Sequence, residues 1–290
     1  MNLTIKRGTT LGVVGESGCG KSTLGRTVLG LLKATSGSII YDGDDITAYN
    51  ARKMKELRKE MQIIFQDPYS SINPRHSISK TIGEPMLVNG IIRNKAEREE
   101  KVFELMKTVG LADRLADSYP HELDGGRRQR VGVARALAVD PKFIVCDEPV
   151  SALDVSIQAQ ILNLLMDLQD ERGLTYMFIT HNLSVVKHIS TEIAVMYLGQ
   201  CIERAPSDEL FKNPLHPYTK ALISAIPVPT YEAHFEQPQL IKGEITSPID
   251  PKPGCRFASR CEYCTAKCTE QDVPLKDMGG EHFVACTLHQ

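Results

Sequence analysis

Nine residues, "GESGCGKST" (Gly15 to Thr23), hold three glycines, a lysine and three hydroxyls and fit the order G-x-x-x-x-G-K-[ST]. Gly15, Gly18 and Gly20 let the backbone turn its N–H groups inward around phosphate oxygens. Lys21 is spaced to reach the β- and γ-phosphates, and the Ser22 hydroxyl to ligate Mg²⁺. Glu16, Ser17, Cys19 and Thr23 complete the expected nucleotide-binding set. A second stretch, "FIVCDEP" (Phe143 to Pro149), is an apolar run that delivers Asp147 and Glu148 at its end. Ligands bind at that edge in open α/β sheets. Asp147 suits a Mg²⁺ ion, and Glu148 suits the general base that polarises an attacking water. The two stretches together describe a hydrolase of nucleoside triphosphates.

Such a site needs a strand before the loop and a helix after it, and both are legible. "LGVV" (Leu11 to Val14) is short and apolar, and "KSTLGRTVLGLL" has helical spacing. The N-terminus of that helix favours an anion. "SGSIIYDG" reads as a strand ending in a turn, and "MQIIF" as a short buried strand. Residues from about Asp67 to Asp140 are mostly helical in pattern, an inserted subdomain. "SIQAQILNLLMDLQDERG" is a long amphipathic helix with a glycine stop. "TYMFITH" is a further strand, and "EIAVMYLGQCIER" two strands meeting at Gly199. Alternating strands and helices imply an α/β fold with a parallel sheet. Beyond Pro227, "PVPTYEAHFEQP" has the composition of a linker, and a small cysteine-rich module follows.

Composition is that of a globular protein. Of 290 residues, 42% are hydrophobic and 24% charged, and the net charge is −2. That balance gives no electrostatic footprint for nucleic acid. No apolar run approaches the ~20 residues that span a bilayer, and the start lacks a signal peptide's plan. The expected compartment is therefore the cytoplasm. Five of the eight cysteines, Cys255, Cys261, Cys264, Cys268 and Cys286, crowd the C-terminal stretch. In that compartment a cluster reads as metal-binding before disulfides.

Four more stretches narrow the class. "IIFQDP" places Gln66 after a strand, and "LDGGRRQR" precedes "VGVARALAVDP". "SALD" ends in Asp154, and "FITHN" places His181 after another strand. In this order the chain resembles the nucleotide-binding subunit of an ATP-binding cassette (ABC) transporter, from about Leu3 to Pro227. The resemblance implies a P-loop NTPase with a RecA-like sheet core and a helical subdomain at about 67–140. It implies ATP and Mg²⁺ as cofactors. Gln66 would contact Mg²⁺ or the attacking water and couple hydrolysis to the membrane subunit. His181 would contact the γ-phosphate, and Asp154 would face a dimer interface. Asp124, Gly125, Gly126 and Arg127 would cap the ATP held by a partner subunit.

Two departures stand out. The family's loop reads Leu-Ser-Gly-Gly-Gln, and here Asp124 replaces the serine. A carboxylate cannot donate to phosphate. At ~4 Å it would oppose phosphate by about 4 kcal/mol per charge pair at an effective dielectric of 20. Arg127 is placed to offset part of this. The composite ATP site built on this loop is therefore expected to be weakened, and the subunit to pair with a related ATPase as a heterodimer. Second, Met1 to Val14 carry no aromatic residue to stack on adenine. The family's first strands lie upstream, so part of the β-subdomain is expected to be missing. Either the chain is truncated or adenine is held less well.

"FQDPYSSINPRHSI" and "NPLHPYTKALISAIP" resemble the peptide/nickel importer branch. "GCRFASRC", Cys268 and "VACTLHQ" match its C-terminal extension, expected over 228–290, after a cassette over 1–227. By resemblance, Cys255, Cys261, Cys268 and Cys286 would hold a [4Fe–4S] cluster, with Zn²⁺ the alternative. Implied partners are the second ATPase, two membrane permease subunits and an extracytoplasmic substrate-binding protein, with no nucleic acid. The implied location is the cytoplasmic face of the membrane. Peptide import is the leading reading. Nickel or glutathione import, a soluble non-transport cassette ATPase and a cassette with impaired ATP binding are the alternatives.

Overall fold

The computed structural model describes residues 1–226, 243 and 250–290. The proline-rich stretch expected as a linker, and the expected boundary at 227/228, lie outside the described residues. The chain divides into two compact units. One comprises Met1–Ile5, Thr10–Lys21 and Thr180–Gln290, and the other Lys6–Thr9 and Ser22–Ile179.

The first unit opens with β1 (Thr10–Val14), buried at every position. The second unit follows α1 (Lys21–Val28) with a small hairpin, β2 (Ile40–Tyr41) and β3 (Asp44–Asp45). The strand expected across "SGSIIYDG" is only two residues long. Asp42 and Gly43 both take positive φ, 54° and 92°, and turn the chain back at once. Asp-Gly suits such a turn because glycine has no Cβ to clash there.

Next come α2 (Ala51–Glu60) and β4 (Met61–Ile64), then α3 (Pro68–Ser71), α4 (Ile78–Val88), α5 (Lys95–Thr108) and α6 (Gly125–Leu137). The last four fill the stretch expected to be helical. Ile78, Ile82 and Met86 of α4, Leu105 and Met106 of α5 and Val131 of α6 are all buried, and the three helices pack on one another. The unit ends with β5 (Phe143–Asp147), α7 (Val155–Arg172) and β6 (Thr175–Ile179). β4, β5 and β6 pair in parallel, and Asp147 lies opposite Ile179. The glycine stop is real: Gly173 caps α7 in the left-handed conformation, φ 64°.

The first unit continues with α8 (Leu183–Ile189), β7 (Glu192–Tyr197), β8 (Gln200–Pro206), α9 (Ser207–Lys212) and α10 (Pro217–Ser224). After the undescribed stretch come α11 (Lys267–Glu270), β9 (Lys276–Asp277) and β10 (Phe283–Val284). The expected parallel pairing extends to β1 and β7, and antiparallel strands are added beyond them. β1 and β7 are parallel, but β8 is antiparallel to β7, β10 to β8 and β9 to β10. The reason is loop length. Leu198 and Gly199 alone join β7 to β8, and a parallel pair needs a crossover of a dozen or more residues. The cysteine-rich end therefore adds its own strand, β10, to the edge of β8.

A buried carboxylate ties this end down. Glu203 is fully buried and accepts from the Leu215 N–H at 2.6 Å and the His216 N–H at 2.9 Å. His282 Nε2 lies 2.8 Å from its Oε1. Removing the carboxylate leaves buried donors unpaired, at about 1–3 kcal/mol each. Glu203→Ala should therefore lower stability by roughly 3 kcal/mol, read as a fall in Tm by calorimetry, while Leu288→Ala at the exposed end should change it by under ~0.5 kcal/mol.

Candidate functional site

In the first unit, β1 runs directly into the phosphate loop. Gly15, Gly18 and Gly20 take φ values of 153°, 79° and 99°. At Gly15 a Cβ would lie 2.2 Å from the Met196 carbonyl oxygen, so the loop leaves β1 through a gap that admits no side chain. Lys21 is almost fully buried, and its Nζ donates to the carbonyls of Gly15 at 2.8 Å and Glu16 at 3.0 Å. The ammonium is thus held over the mouth of its own loop. His181 follows Thr180 and is exposed just ahead of α8.

In the second unit, Ser22 Oγ donates to Asp147 Oδ1 at 2.6 Å. The hydroxyl and carboxylate expected to share Mg²⁺ therefore already share a proton. Asp147 is buried at the end of β5, and Arg26 Nη2, one helical turn after Ser22, lies 3.8 Å from its Oδ2. Glu148 is next. Its φ of 49° is left-handed, a conformation that costs a non-glycine residue of order 1–3 kcal/mol. Its N–H donates to the Ile179 carbonyl, and its own carbonyl accepts from Ser151 Oγ at 3.1 Å. So fixed, its Oε2 accepts from Gln66 Nε2 at 3.0 Å. The expected base and the expected water-positioning amide are in contact.

The Gly-Gly loop is the start of α6. Asp124 is its N-cap: Oδ1 accepts the Arg127 N–H at 2.8 Å, and Arg127 Nε lies 3.3 Å from Oδ2. Aspartate and serine cap about equally well. Gly126 has a packing reason too, since a Cβ there would lie 2.7 Å from Ile157 Cγ2 on α7. Asp154, at the N-cap position of α7, makes no side-chain capping bond.

None of the eight cysteines is in a disulfide. Cys255, Cys261, Cys268 and Cys286 line one small cavity together with His216, while Cys264 is exposed outside it. Burial pushes the Cys255 thiol up to about 11, and the neighbouring Cys268, Cys286 and Cys261 add to the rise. Burial opposes ionisation of Cys268 as well, but hydrogen bonds from Thr265 and Thr287 prevail and lower it. His216 is buried. Its Nδ1 accepts from the Tyr218 N–H, which puts the proton on Nε2, and Nε2 has no partner. Among the described residues, no three His, Cys, Asp or Glu side chains converge on a point that could hold a metal ion.

The ABC transporter family profile matches residues 1–151. The chain belongs to the ABC transporter family. A second profile, the C-terminal region of oligopeptide/dipeptide transporters, matches residues 202–268. The oligopeptide transport ATP-binding protein AppF of Bacillus subtilis is 49% identical over 291 residues, spanning 100% of this chain and 88% of that protein. The dipeptide transport ATP-binding protein DppF of Escherichia coli is 48% identical over 286 residues, spanning 99% and 85%. The dimeric ATP-binding cassette MJ0796, solved in a post-hydrolysis state with ADP and Pi, matches with a TM-score of 0.65. It is 30% identical over 71% of this chain and 88% of its own.

Reading the cassette as a sequence misses Arg26, His216 and Arg260. Arg26 was within reach, because Ser22 and Arg26 are spaced i, i+4 on one helix. The cap at Asp124 is separable from any role in catalysis. Asp124→Ala should cost about 1 kcal/mol by denaturant unfolding, and Asp124→Ser under ~0.5 kcal/mol.

Proposed function

We propose that this chain is the ATP-hydrolysing subunit of a peptide importer. One observation carries the reading: a complete phosphate loop and the C-terminal region of oligopeptide/dipeptide transporters occur on the same chain. The names of its relatives, oligopeptide and dipeptide transport ATP-binding proteins, support peptides as cargo.

In this reading the backbone of Gly15 to Thr23 cradles the phosphates of ATP, and Lys21 leaves its loop carbonyls for the β- and γ-phosphates. Ser22 and Asp147 would hold Mg²⁺, which would supply positive charge against the phosphates. Glu148 takes the proton of the attacking water, Gln66 orients that water, and His181 donates to the γ-phosphate. Asp124 to Arg127 cap ATP on a partner subunit. A related cassette with a standard serine suits that partnership, and the dimeric state of MJ0796 supports pairing. Two permease subunits and a substrate-binding protein complete the assembly, with this chain on the cytoplasmic face. Among the described residues, no helix is long and apolar enough to cross a membrane.

The cysteine-lined cavity has the donor types of a sulfur-ligated group, although its thiols do not converge on one point. Four thiols surround it, and His216 Nε2–H, buried without an acceptor, would gain one in a cluster sulfide or thiolate. We assign Cys255, Cys261, Cys268 and Cys286 to a [4Fe–4S] cluster, whose contribution would be to tie a segment too small to bury much apolar surface.

Peptide uptake by cells carrying Glu148→Gln tests the central assignment. Uptake should fall at least ~100-fold while Mg-ATP binding persists, as expected for loss of a general base. Uptake that survives, or that fails together with ATP binding, contradicts it. Asp124→Ser should raise turnover of the assembled pair several-fold, and an unchanged rate would show that the carboxylate is harmless to the partner's ATP. Anaerobically purified protein should carry about four irons per chain, lost in Cys261→Ser.

A further inference from the structure

We propose that Arg260, from the cysteine-rich C-terminal region, is a positioning residue for the phosphate loop. The proposal rests on the reading that Gly15 to Thr23 binds the phosphates of ATP. Glu16 is the second residue of that loop, so its carboxylate shares the loop with a polyanion. Left unpaired, it would oppose phosphate binding.

Arg260 meets this carboxylate with both arms of its fork. Nη1 donates to Glu16 Oε2 at 2.8 Å, and Nη2 to Oε1 at 3.3 Å. Paired donors of this kind fix orientation as well as charge. The pair is well shielded, with side chains 7% and 22% exposed. Nη1 also donates to Tyr197 Oη at 3.2 Å, and the guanidinium lies over that ring, 5.9 Å from its centre.

The neighbours of Arg260 grip the same region. Arg256 donates to the Leu198 carbonyl, and the next residue, Gly199, donates its N–H to the Cys19 carbonyl at 2.8 Å. Phe257 packs edge-on to Tyr197 at 5.3 Å and against Tyr218 at 5.4 Å. Tyr218 Oη in turn accepts the Glu16 N–H at 3.0 Å. Three of the five residues between Cys255 and Cys261 thus hold the loop directly or through the β7–β8 turn behind it. Arg260 offsets the loop's own negative charge and fixes the orientation of the Glu16 carboxylate. Acting through Glu16, it positions the loop without touching nucleotide.

The test is equilibrium titration of the full chain with a fluorescent ATP analogue and Mg²⁺, alongside melting curves. Arg260→Ala should weaken binding about tenfold, the size expected for a lost charge-assisted hydrogen bond. In Glu16→Gln/Arg260→Ala the stranded charge is gone, and binding should recover at least threefold relative to Arg260→Ala. Wild-type affinity in Arg260→Ala overturns the proposal. So does a double variant as weak as the single one, because that marks a merely structural role. If Arg260→Ala does not fold, Arg260→Lys carries the test: a loss of about threefold supports the brace, and wild-type affinity overturns it. Lys21→Ala separates the two levels. Unchanged binding there refutes the phosphate-loop reading itself, whereas lost binding there with normal Arg260→Ala refutes only the brace.

Discussion

Ser22 and Asp147 stand 125 positions apart in the chain and meet in a 2.6 Å hydrogen bond. The proposed hydrolytic site is built on that meeting. A hydroxyl at a helix start and a carboxylate at a strand end are both weak ligands alone. Held together they offer a hard divalent ion two oxygens at one point. The second unit is organised to keep them there. β5 is buried throughout and paired on both sides, so Asp147 cannot drift, and Gly25 lets α1 approach β5 closely. A Cβ at Gly25 would lie 2.8 Å from Val145 Cγ1.

The strained backbone of Glu148 extends the same logic. A left-handed residue directly after a buried strand turns the chain sharply, and its carboxylate then faces Gln66 rather than following the strand outward. The strain is sustained by hydrogen bonds at its N–H and carbonyl, so it is part of how the acid is aimed.

Much of this was legible in the sequence because it is local. The phosphate loop, the acidic pair, the glycine stop of α7 and the helical stretch each depend on spacing within one element. The direction of β8 was less so, since an apolar run looks alike in either direction; only the two-residue turn at Leu198 and Gly199 dictates an antiparallel return. The helix cap made by Asp124 was not read from the sequence, because the residue was weighed only against a serine that donates to phosphate; capping α6 is a role separate from its charge toward a partner's ATP. The Arg260–Glu16 pair spans 244 positions, and no periodicity or composition announces such a contact. The orphaned Nε2 of His216 was equally invisible, because it is defined by what surrounds it.

The most direct test of the account is the Mg²⁺ dependence of ATP binding, measured by equilibrium titration of the wild-type chain and Asp147→Asn. Mg²⁺ should tighten ATP binding roughly tenfold or more in the wild type and have little effect in the variant. Equal Mg²⁺ dependence in both would mean that Asp147 does not serve the ion, and the Ser22–Asp147 contact would be a structural hydrogen bond alone.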